Sequence, residues 1–266
     1  MSEAERNHGT HRSQERRAQI LGLLGRQASA SLTDIQQVTG GSIATTRRDL
    51  TDLAQEGLIE RTRGGARLVP RDSSLDEEFG RRQQRHARAK GEIAKAAAEL
   101  VPAGASLFLN DGSTTLALAR ELSNRNLKLW IATCALNIAE LLARNGTNEV
   151  VVIGGSLRRT SFGTIGPLAT NALTQLHADL AFIGCDGVHL TDGPRSNSIH
   201  DAEVARTMMT HADSTVLLAD GSKLRQPSRC LIAPWEQIDH WITDTLEHDD
   251  QTQADLLPAT VTQVEA

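Results

Sequence analysis

The sequence predicts two folded parts: a small unit of three helices and a β-hairpin, then a larger α/β domain with a mostly parallel sheet. Apolar stripes with helical spacing, separated by Gly and Ser signals, fill residues 15–69. From about residue 93, short apolar runs alternate with helical patterns, which is typical of parallel sheets covered on both faces. The net charge also differs between the two parts of the chain: it is +4 over residues 1–95 and −9 over residues 96–266.

Three helices and a hairpin account for residues 15–69. Ser31 is the predicted N-cap of the second helix, Gly40 and Gly41 end it, and Ser42 caps the third. Two short apolar runs flank the turn at 63–65 and predict the hairpin. Because the turn between the second and third helices is only about three residues long, the pattern is that of a winged helix-turn-helix.

A winged helix-turn-helix places its third helix in the major groove of DNA, N-terminal end first. The candidate DNA contacts on this helix and on the hairpin are Ser42, Thr45, Thr46, Arg47, Arg48, Arg61, Arg63, Gly64 and Gly65. Their hydroxyl and guanidinium groups suit phosphates and base edges, and arginine makes up 24 of the 28 basic residues. Double-stranded operator DNA is the predicted partner. A helical capping unit with a solvated arginine face is the alternative.

Composition sets the other boundaries. Residues 1–14 are polar and are expected to be disordered, residues 70–87 form a linker, and residues 246–266 form a polar tail. The α/β domain then spans residues 88–245.

Several classes of protein are disfavoured. No apolar run approaches the roughly 20 residues of a membrane helix, and the first residues lack a signal-peptide core, so we expect a cytoplasmic protein without a membrane partner. Three scattered cysteines without a CxxC argue against a disulfide scaffold or a cysteine-ligated metal. The common phosphate-loop, zinc-protease, hydrolase and dinucleotide motifs are missing, so no catalytic residue, metal or cofactor is predicted.

Small and polar residues follow five of the predicted strands, where parallel sheets bind their ligands. Gly112, Ser113, Thr114 and Thr115 open a helix after the first strand and predict an anion cradle, although ordinary N-capping is the alternative. Further candidates at these ends are Asp111, Thr133, Asn137, Gly154, Gly155, Arg158, Asp186, Gly187, Asp220 and Lys223. The basic members suit a phosphate and the acidic ones suit sugar hydroxyls. For Lys223 and Asp220, a structural ion pair is the alternative.

Over about residues 15–245 the chain resembles DeoR-type bacterial transcriptional regulators. The resemblance rests on short motifs that occur in the family's order: 45–50 (TTRRDL), 57–59 (GLI), 63–66 (RGGA), 111–115 (DGSTT), 154–158 (GGSLR), 184–187 (GCDG) and 220–223 (DGSK). The chain departs from the family pattern at Gly41, Thr46, Cys134 and Ala205.

This resemblance implies an effector domain like that of ribose-phosphate isomerases and CoA-transferases, with a phosphorylated sugar or sugar derivative as effector. It also implies a repressor of a sugar or polyol catabolic operon, assembled as a homo-oligomer, either a dimer or a tetramer. Glu203, close to the departure at Ala205, joins the candidate effector contacts.

Two other functions are also compatible with the sequence. A sugar-phosphate isomerase or transferase with an attached helical domain would need an acid/base pair, for which Asp186 and Glu203 are the candidates. Alternatively, the large domain of a DNA-binding protein serves only for assembly.

Overall fold

A computed structural model describes residues 16–24, 27, 29–55, 59–62, 64–68, 73–144 and 146–266. The chain divides into two compact units, Met1–Ser73 and Ser74–Ala266. The expected disordered tail at 1–14 and the wing residue Arg63 lie outside the described residues.

The first unit contains helix α1 (residues 16–24), strand β1 (Ser29–Ser31), helices α2 (Leu32–Thr39) and α3 (Ile43–Gln55), and strands β2 (Ile59–Thr62) and β3 (Gly65–Leu68). Among the described residues these strands form an antiparallel sheet in the order β1-β3-β2. The apolar residues of the predicted helical stripes form the hydrophobic core of this unit, which includes Ile20, Leu24, Ile35, Leu50 and Leu53. Strand β1 is an addition to the predicted hairpin.

The predicted start and end of α2 and the predicted start of α3 are confirmed. Ser31 and Asp34 form a reciprocal capping box, in which the Asp34 amide donates to Ser31 Oγ over 3.2 Å and Asp34 Oδ2 accepts from the Ser31 amide over 3.0 Å. Gly40 ends α2 in the left-handed region, with φ of 63°. Ser42 Oγ accepts from the Thr45 amide at the start of α3.

The second unit is built on a parallel sheet. Its described strands are ordered β15-β14-β12-β9-β4-β5-β6, namely Thr260–Val264, His240–Asp244, Ala212–Leu218, Ala178–Gly184, Ser106–Leu109, Trp130–Thr133 and Glu149–Val152. The helices are α4 (Ser73–Gln84), α5 (Ala87–Glu99), α6 (Ser113–Ser123), α7 (Leu136–Ala143), α8 (Pro167–Leu173), α9 (Ile199–Thr210) and α10 (His248–Ala254). Short strands β7 (Ser156–Arg158), β8 (Gly163–Ile165), β10 (Gly187–His189), β11 (Gly193–Ser196) and β13 (Cys230–Leu231) form two accessory sheets.

Both faces of the large sheet are buried, as the continuous apolar strands predict. On β4, Leu107 and Leu109 point into one core cluster and Phe108 into the other, because successive side chains of a strand alternate between faces. Residues of α5, α6 and α7 cover the first face, and residues of α8 and α9 cover the second. This confirms the predicted α/β fold class.

Two segments predicted as a linker and a tail contain regular secondary structure. The linker expected at 70–87 is largely α4, whose Phe79 is buried in the core of the second unit. The polar tail expected at 246–266 contains α10 and β15, and β15 extends the sheet by pairing in parallel with β14. Both segments are mostly polar in composition, although their backbones form regular secondary structure. Within the described residues, no helix is both long and apolar enough to span a membrane.

Candidate functional site

The strand order of the sheet reverses direction between β4 and β9, which are neighbours. From β4 the chain proceeds through β5 to β6 on one side, and from β9 through β12, β14 and β15 on the other. Their carboxyl ends are tied together by Asn110, whose Nδ2 donates to Gly184 O over 3.0 Å and whose Oδ1 accepts from the Gly184 amide over 2.8 Å. Ligands of parallel sheets bind at such a reversal point, outside the strands' carboxyl ends.

A cleft opens at this point and combines segments that are far apart in the sequence. Its lining consists of Arg82, Asn110, Asp111, Gly112, Ser113, Thr114, Arg158, Ser161, Gly184, Cys185, Asp186, Ser196, Asp201, Lys223 and Ile232. The cleft is narrow, since the volume accessible to a water-sized molecule is about 60 Å³.

Hydrogen-bond donors and positively charged side chains line one part of the cleft. Gly112 is the N-cap residue of α6, and Ser113 and Thr114 form its first turn, where backbone amides and the helix dipole favour an anion. Arg82, Arg158 and Lys223 add three cationic side chains to the same lining. This combination suits a phosphate group.

Three carboxyl groups share the cleft with these cations. Burial raises the pKa of Asp111, although a hydrogen bond from Ser161 opposes the shift. Asp186 Oδ2 accepts from Ser196 Oγ over 3.1 Å and from the Asn197 amide over 2.8 Å, which fixes its position. Asp201 pairs with Arg158. A ligand with both an anionic group and hydroxyl groups would match this mixed set of donors and acceptors.

The thiols of the buried Cys134 and the half-buried Cys185 lie nearby, and neither is a nucleophile at neutral pH. Burial raises the pKa of Cys185 to about 12. Burial also raises the pKa of Cys134, whose carbonyl accepts from the Thr164 amide over 2.8 Å and so anchors β8. Both thiols therefore remain neutral.

The structure brings seven of the predicted effector contacts together in the cleft: Asp111, Gly112, Ser113, Thr114, Arg158, Asp186 and Lys223. Others in the predicted set have local structural roles instead. The buried Thr115 hydroxyl donates to Gly112 O, and the Thr133 hydroxyl donates to Leu109 O. Asp220 is buried and caps the short turn 221–223 by accepting from the Ser222 amide.

The remaining predicted contacts lie outside the cleft lining. Asn137 Oδ1 accepts from the amide of Ile138, and Gly154 and Gly155 precede β7. Gly187 lies against residues 226–228, where a Cβ would come within 2.8 Å of Gln226 O.

Glu203 is exposed on α9 and lies 3.9 Å from His200. It does not line the cleft with Asp186, so the acid/base pair of the enzyme alternative is not assembled. Ala205, the neighbouring departure from the family pattern, is buried in the core.

Sequence reasoning missed six polar lining residues, namely Arg82, Asn110, Ser161, Cys185, Ser196 and Asp201. Only the first strand end offered a signal for Asn110, because it directly precedes the Asp-Gly motif. Cys185 likewise directly follows β9, beside the predicted Asp186. The other four reach the cleft through the β7–β8 turn, the accessory strand β11, or helices α4 and α9, whose placement depends on tertiary packing.

The exposed start of α3 forms the candidate DNA surface in the first unit. Ser42, Arg47 and Arg48 are exposed, and Thr45 is half-buried. On the hairpin, Arg61 and Gly64 are exposed, and Arg61 Nη1 donates to Thr51 Oγ1 over 3.1 Å. These residues stay as candidate DNA contacts.

Two of the predicted DNA contacts are not placed to touch DNA. Thr46 is 1% exposed, and its Oγ1 lacks a hydrogen-bond partner in the described part of the chain. Gly65 is buried against β1, and a Cβ there would lie 2.0 Å from Ala30 O. Thr46 therefore belongs to the core side of α3, and Gly65 permits the close approach of two strands.

A helix-turn-helix unit joined to an α/β domain, with a cleft lined by cationic side chains at the carboxyl ends of its strands, is the architecture of a ligand-sensing transcriptional regulator. The family model described as "DeoR-like helix-turn-helix domain" matches residues 16–71, and that described as "DeoR C terminal sensor domain" matches residues 85–245. The chain belongs to the DeoR family of transcriptional regulators.

Named relatives are similar over nearly the whole chain. The HTH-type transcriptional regulator GlpR of Haloferax volcanii is 32% identical, covering 93% of this chain and 96% of the relative. The HTH-type transcriptional repressor CsqR of Escherichia coli is 31% identical over 87% of both chains. The glycerol-3-phosphate regulon repressor of Haemophilus influenzae is 31% identical over 86% of this chain and 88% of its own.

Among solved structures, ribose 5-phosphate isomerase A of Methanocaldococcus jannaschii is similar over 51% of this chain and 53% of its own. The TM-score is 0.39 at 24% identity.

Proposed function

We propose that this regulator represses a sugar or polyol catabolic operon and that a phosphorylated sugar or sugar derivative relieves the repression. The observation that carries the proposal is the cleft, in which the start of α6, Arg158 and Lys223 offer donors to a phosphate. Asp186 faces the same space as an acceptor for hydroxyl groups. The similarity to a glycerol-3-phosphate regulon repressor supports the same class of ligand.

Operator binding is assigned to the exposed start of α3 and to the hairpin. Arg47 and Arg48 supply charge to phosphates or base edges, and Ser42 and Thr45 supply hydroxyl groups. The protein acts as a homo-oligomer, either a dimer or a tetramer, so that paired DNA-binding units read repeated half-sites. The effector releases the DNA because it binds more tightly to a conformation in which these units no longer match the half-sites.

The test is an anisotropy titration of the full-length protein on the DNA upstream of its own gene, with unrelated DNA of equal length as the control. Salt is varied, because phosphate neutralisation makes both specific and non-specific binding salt-dependent. Sugar phosphates, polyol phosphates and their unphosphorylated parents are then added. Preference for the upstream DNA, lost on addition of a phosphorylated compound only, is expected. Equal affinity for both DNAs at every salt concentration would overturn the proposal.

Paired variants separate the two sites. Arg47→Ala with Arg48→Ala should weaken operator binding while ligand binding, measured by calorimetry, is kept. Thr114→Ala with Lys223→Ala should weaken ligand binding while operator binding is kept. If either folded double variant loses both activities, the assignment of the two functions to separate surfaces is wrong.

A further inference from the structure

Arg82 has an unusual position among the residues of the cleft. It lies on α4, whereas every other described residue of the lining follows β4 in the sequence. Helix α4 is also the first helix after the DNA-binding unit, because only four residues separate the end of β3 at Leu68 from its start at Ser73. A side chain that reaches the ligand site is therefore carried by the segment that leads out of the DNA-binding unit.

Only part of the hydrogen-bonding capacity of the Arg82 guanidinium group is used by the described residues. Its Nη2 donates to the carbonyl oxygen of Thr160, and its Cζ lies 5.5 Å from the centre of the Phe79 ring. Its Nε is buried without a hydrogen-bond partner in the part of the chain that the structure describes. A buried donor without an acceptor is unfavourable, and an arginine fork is suited to a bidentate anion.

Helix α4 is held against the wall of the cleft by neighbouring contacts. The Phe79 and Phe162 rings pack edge to face, with centroids 5.5 Å apart. Phe162 belongs to the β7–β8 turn, which also supplies Ser161 to the cleft. At the other end, Lys90 Nζ donates to the carbonyl oxygens of Arg82 and Arg85 over 2.5 Å each. Among the described residues of α4, Arg82 is thus the one that lines the cleft.

We propose that Arg82 binds the anionic group of the ligand and that α4 transmits the occupancy of the cleft to the DNA-binding unit. This inference rests on the proposed function and names a residue that carries its regulation. A phosphate that accepts hydrogen bonds from Arg82 stabilises α4 in its docked position. Because a ligand shifts an equilibrium only by its differential affinity for the two states, this contact favours the state in which α4 is docked against the cleft.

The test compares full-length Arg82→Ala and Arg82→Lys with Arg81→Ala, a matched control at an exposed position on the same helix. Calorimetry measures binding of ribose 5-phosphate, glycerol 3-phosphate and inorganic phosphate, and anisotropy measures release of operator DNA. Arg82→Ala should bind operator DNA like the wild type and bind the phosphate compounds about tenfold more weakly or worse. Arg82→Lys should bind at an intermediate level, since it keeps the charge without the fork. Arg81→Ala should match the wild type in both assays.

Hydrogen exchange tests transmission directly. In the wild type, saturating ligand should slow amide exchange over residues 74–84, while the amides of α10 serve as an unaffected reference. In Arg82→Ala at saturating ligand, this protection and the release of DNA should both be reduced.

The outcomes separate the parts of the argument. Unchanged ligand affinity in Arg82→Ala overturns the contact. Weaker affinity with full protection and full DNA release at saturation overturns the transmission. Wild-type protein that discriminates its operator but binds none of the three probes overturns this inference and the proposed effector class together.

Discussion

Thr46 gives the sharpest test of how α3 divides between its core and its DNA-facing sides. The sequence places Thr46 among the DNA contacts, whereas the structure buries it, and its hydroxyl has no hydrogen-bond partner among the residues described. Valine has nearly the same shape and is also β-branched, so Thr46→Val removes the hydroxyl with little change in helix propensity. A buried hydroxyl without a partner costs about 1–3 kcal/mol. We therefore expect the first unit to gain roughly 1 kcal/mol in free energy of unfolding, with operator affinity unchanged.

The gain should be measured within the first unit of the full-length protein. All three tryptophans, Trp130, Trp235 and Trp241, lie in the second unit, so their fluorescence does not follow the first. Hydrogen exchange of the α3 amides does, and a gain of 1 kcal/mol should slow it about fivefold. Thr45→Val is the matched control, because Thr45 is half-buried and its hydroxyl lies 2.8 Å from Ser42 Oγ. Weaker operator binding by a folded Thr46→Val protein, without added protection, would refute the reasoning.

Three further predictions concern packing, pH and charge. Gly65→Ala should destabilise the first unit by about 2 kcal/mol or more, seen as faster exchange of the hairpin amides, because its Cβ would collide with Ala30 O. Burial lowers the pKa of Lys90 to about 8 from 10.5, so the folded state binds fewer protons than the unfolded chain between these values. The free energy of unfolding of the second unit should therefore rise relative to Lys90→Met from pH 8 to 10.5, in tryptophan-monitored urea titrations. Asp201→Asn should tighten phosphate binding several-fold in calorimetry, because Asp201 now pairs with Arg158 inside the cleft.

Each of these three has a result that contradicts it. Native-like exchange in Gly65→Ala would mean that β1 and β3 do not approach as closely as described. A wild-type pH profile parallel to that of Lys90→Met would mean that Lys90 keeps its ordinary pKa. Equal or weaker phosphate binding by Asp201→Asn would mean that its carboxylate does not compete with the ligand for Arg158.

Much of the fold was predictable because its signals are local. The Ser31 cap, the Gly40 stop and the alternating strands and helices of the second unit each depend on a few adjacent residues. The elements that were missed lack such signals: β15 has only exposed and half-buried residues at the sheet edge, and α4 is rich in charged and polar residues. Their placement is decided by pairing with β14 and by the burial of Phe79, which are contacts between residues distant in sequence.

The residues of the candidate site that could be predicted are those that directly follow the ends of strands. Residues 111–114 were found because a glycine and hydroxyl residues open a helix directly after β4. Thr133 and Asp220 also follow strands, but their side chains are used by neighbouring backbone groups. Residue type and position were right in both cases, yet a sequence does not show whether a hydroxyl or carboxylate is turned towards its own turn or towards the ligand.

The electrostatics of the cleft explain why its lining was harder to predict than its location. An effector domain with a net negative sequence needs a local excess of donors to hold an anion, and here they come from α4, α6, β7 and the turn 221–223. Asp201 partly cancels this excess by pairing with Arg158, and burial raises the pKa of Asp111 beside α6. The attraction that the cationic groups of the cleft exert on an anion is therefore reduced by the carboxyl groups beside them. For the proposed phosphorylated ligand this means that its phosphate would have to replace Asp201 as the partner of Arg158, so that the affinity would be lower than the cationic groups alone would give.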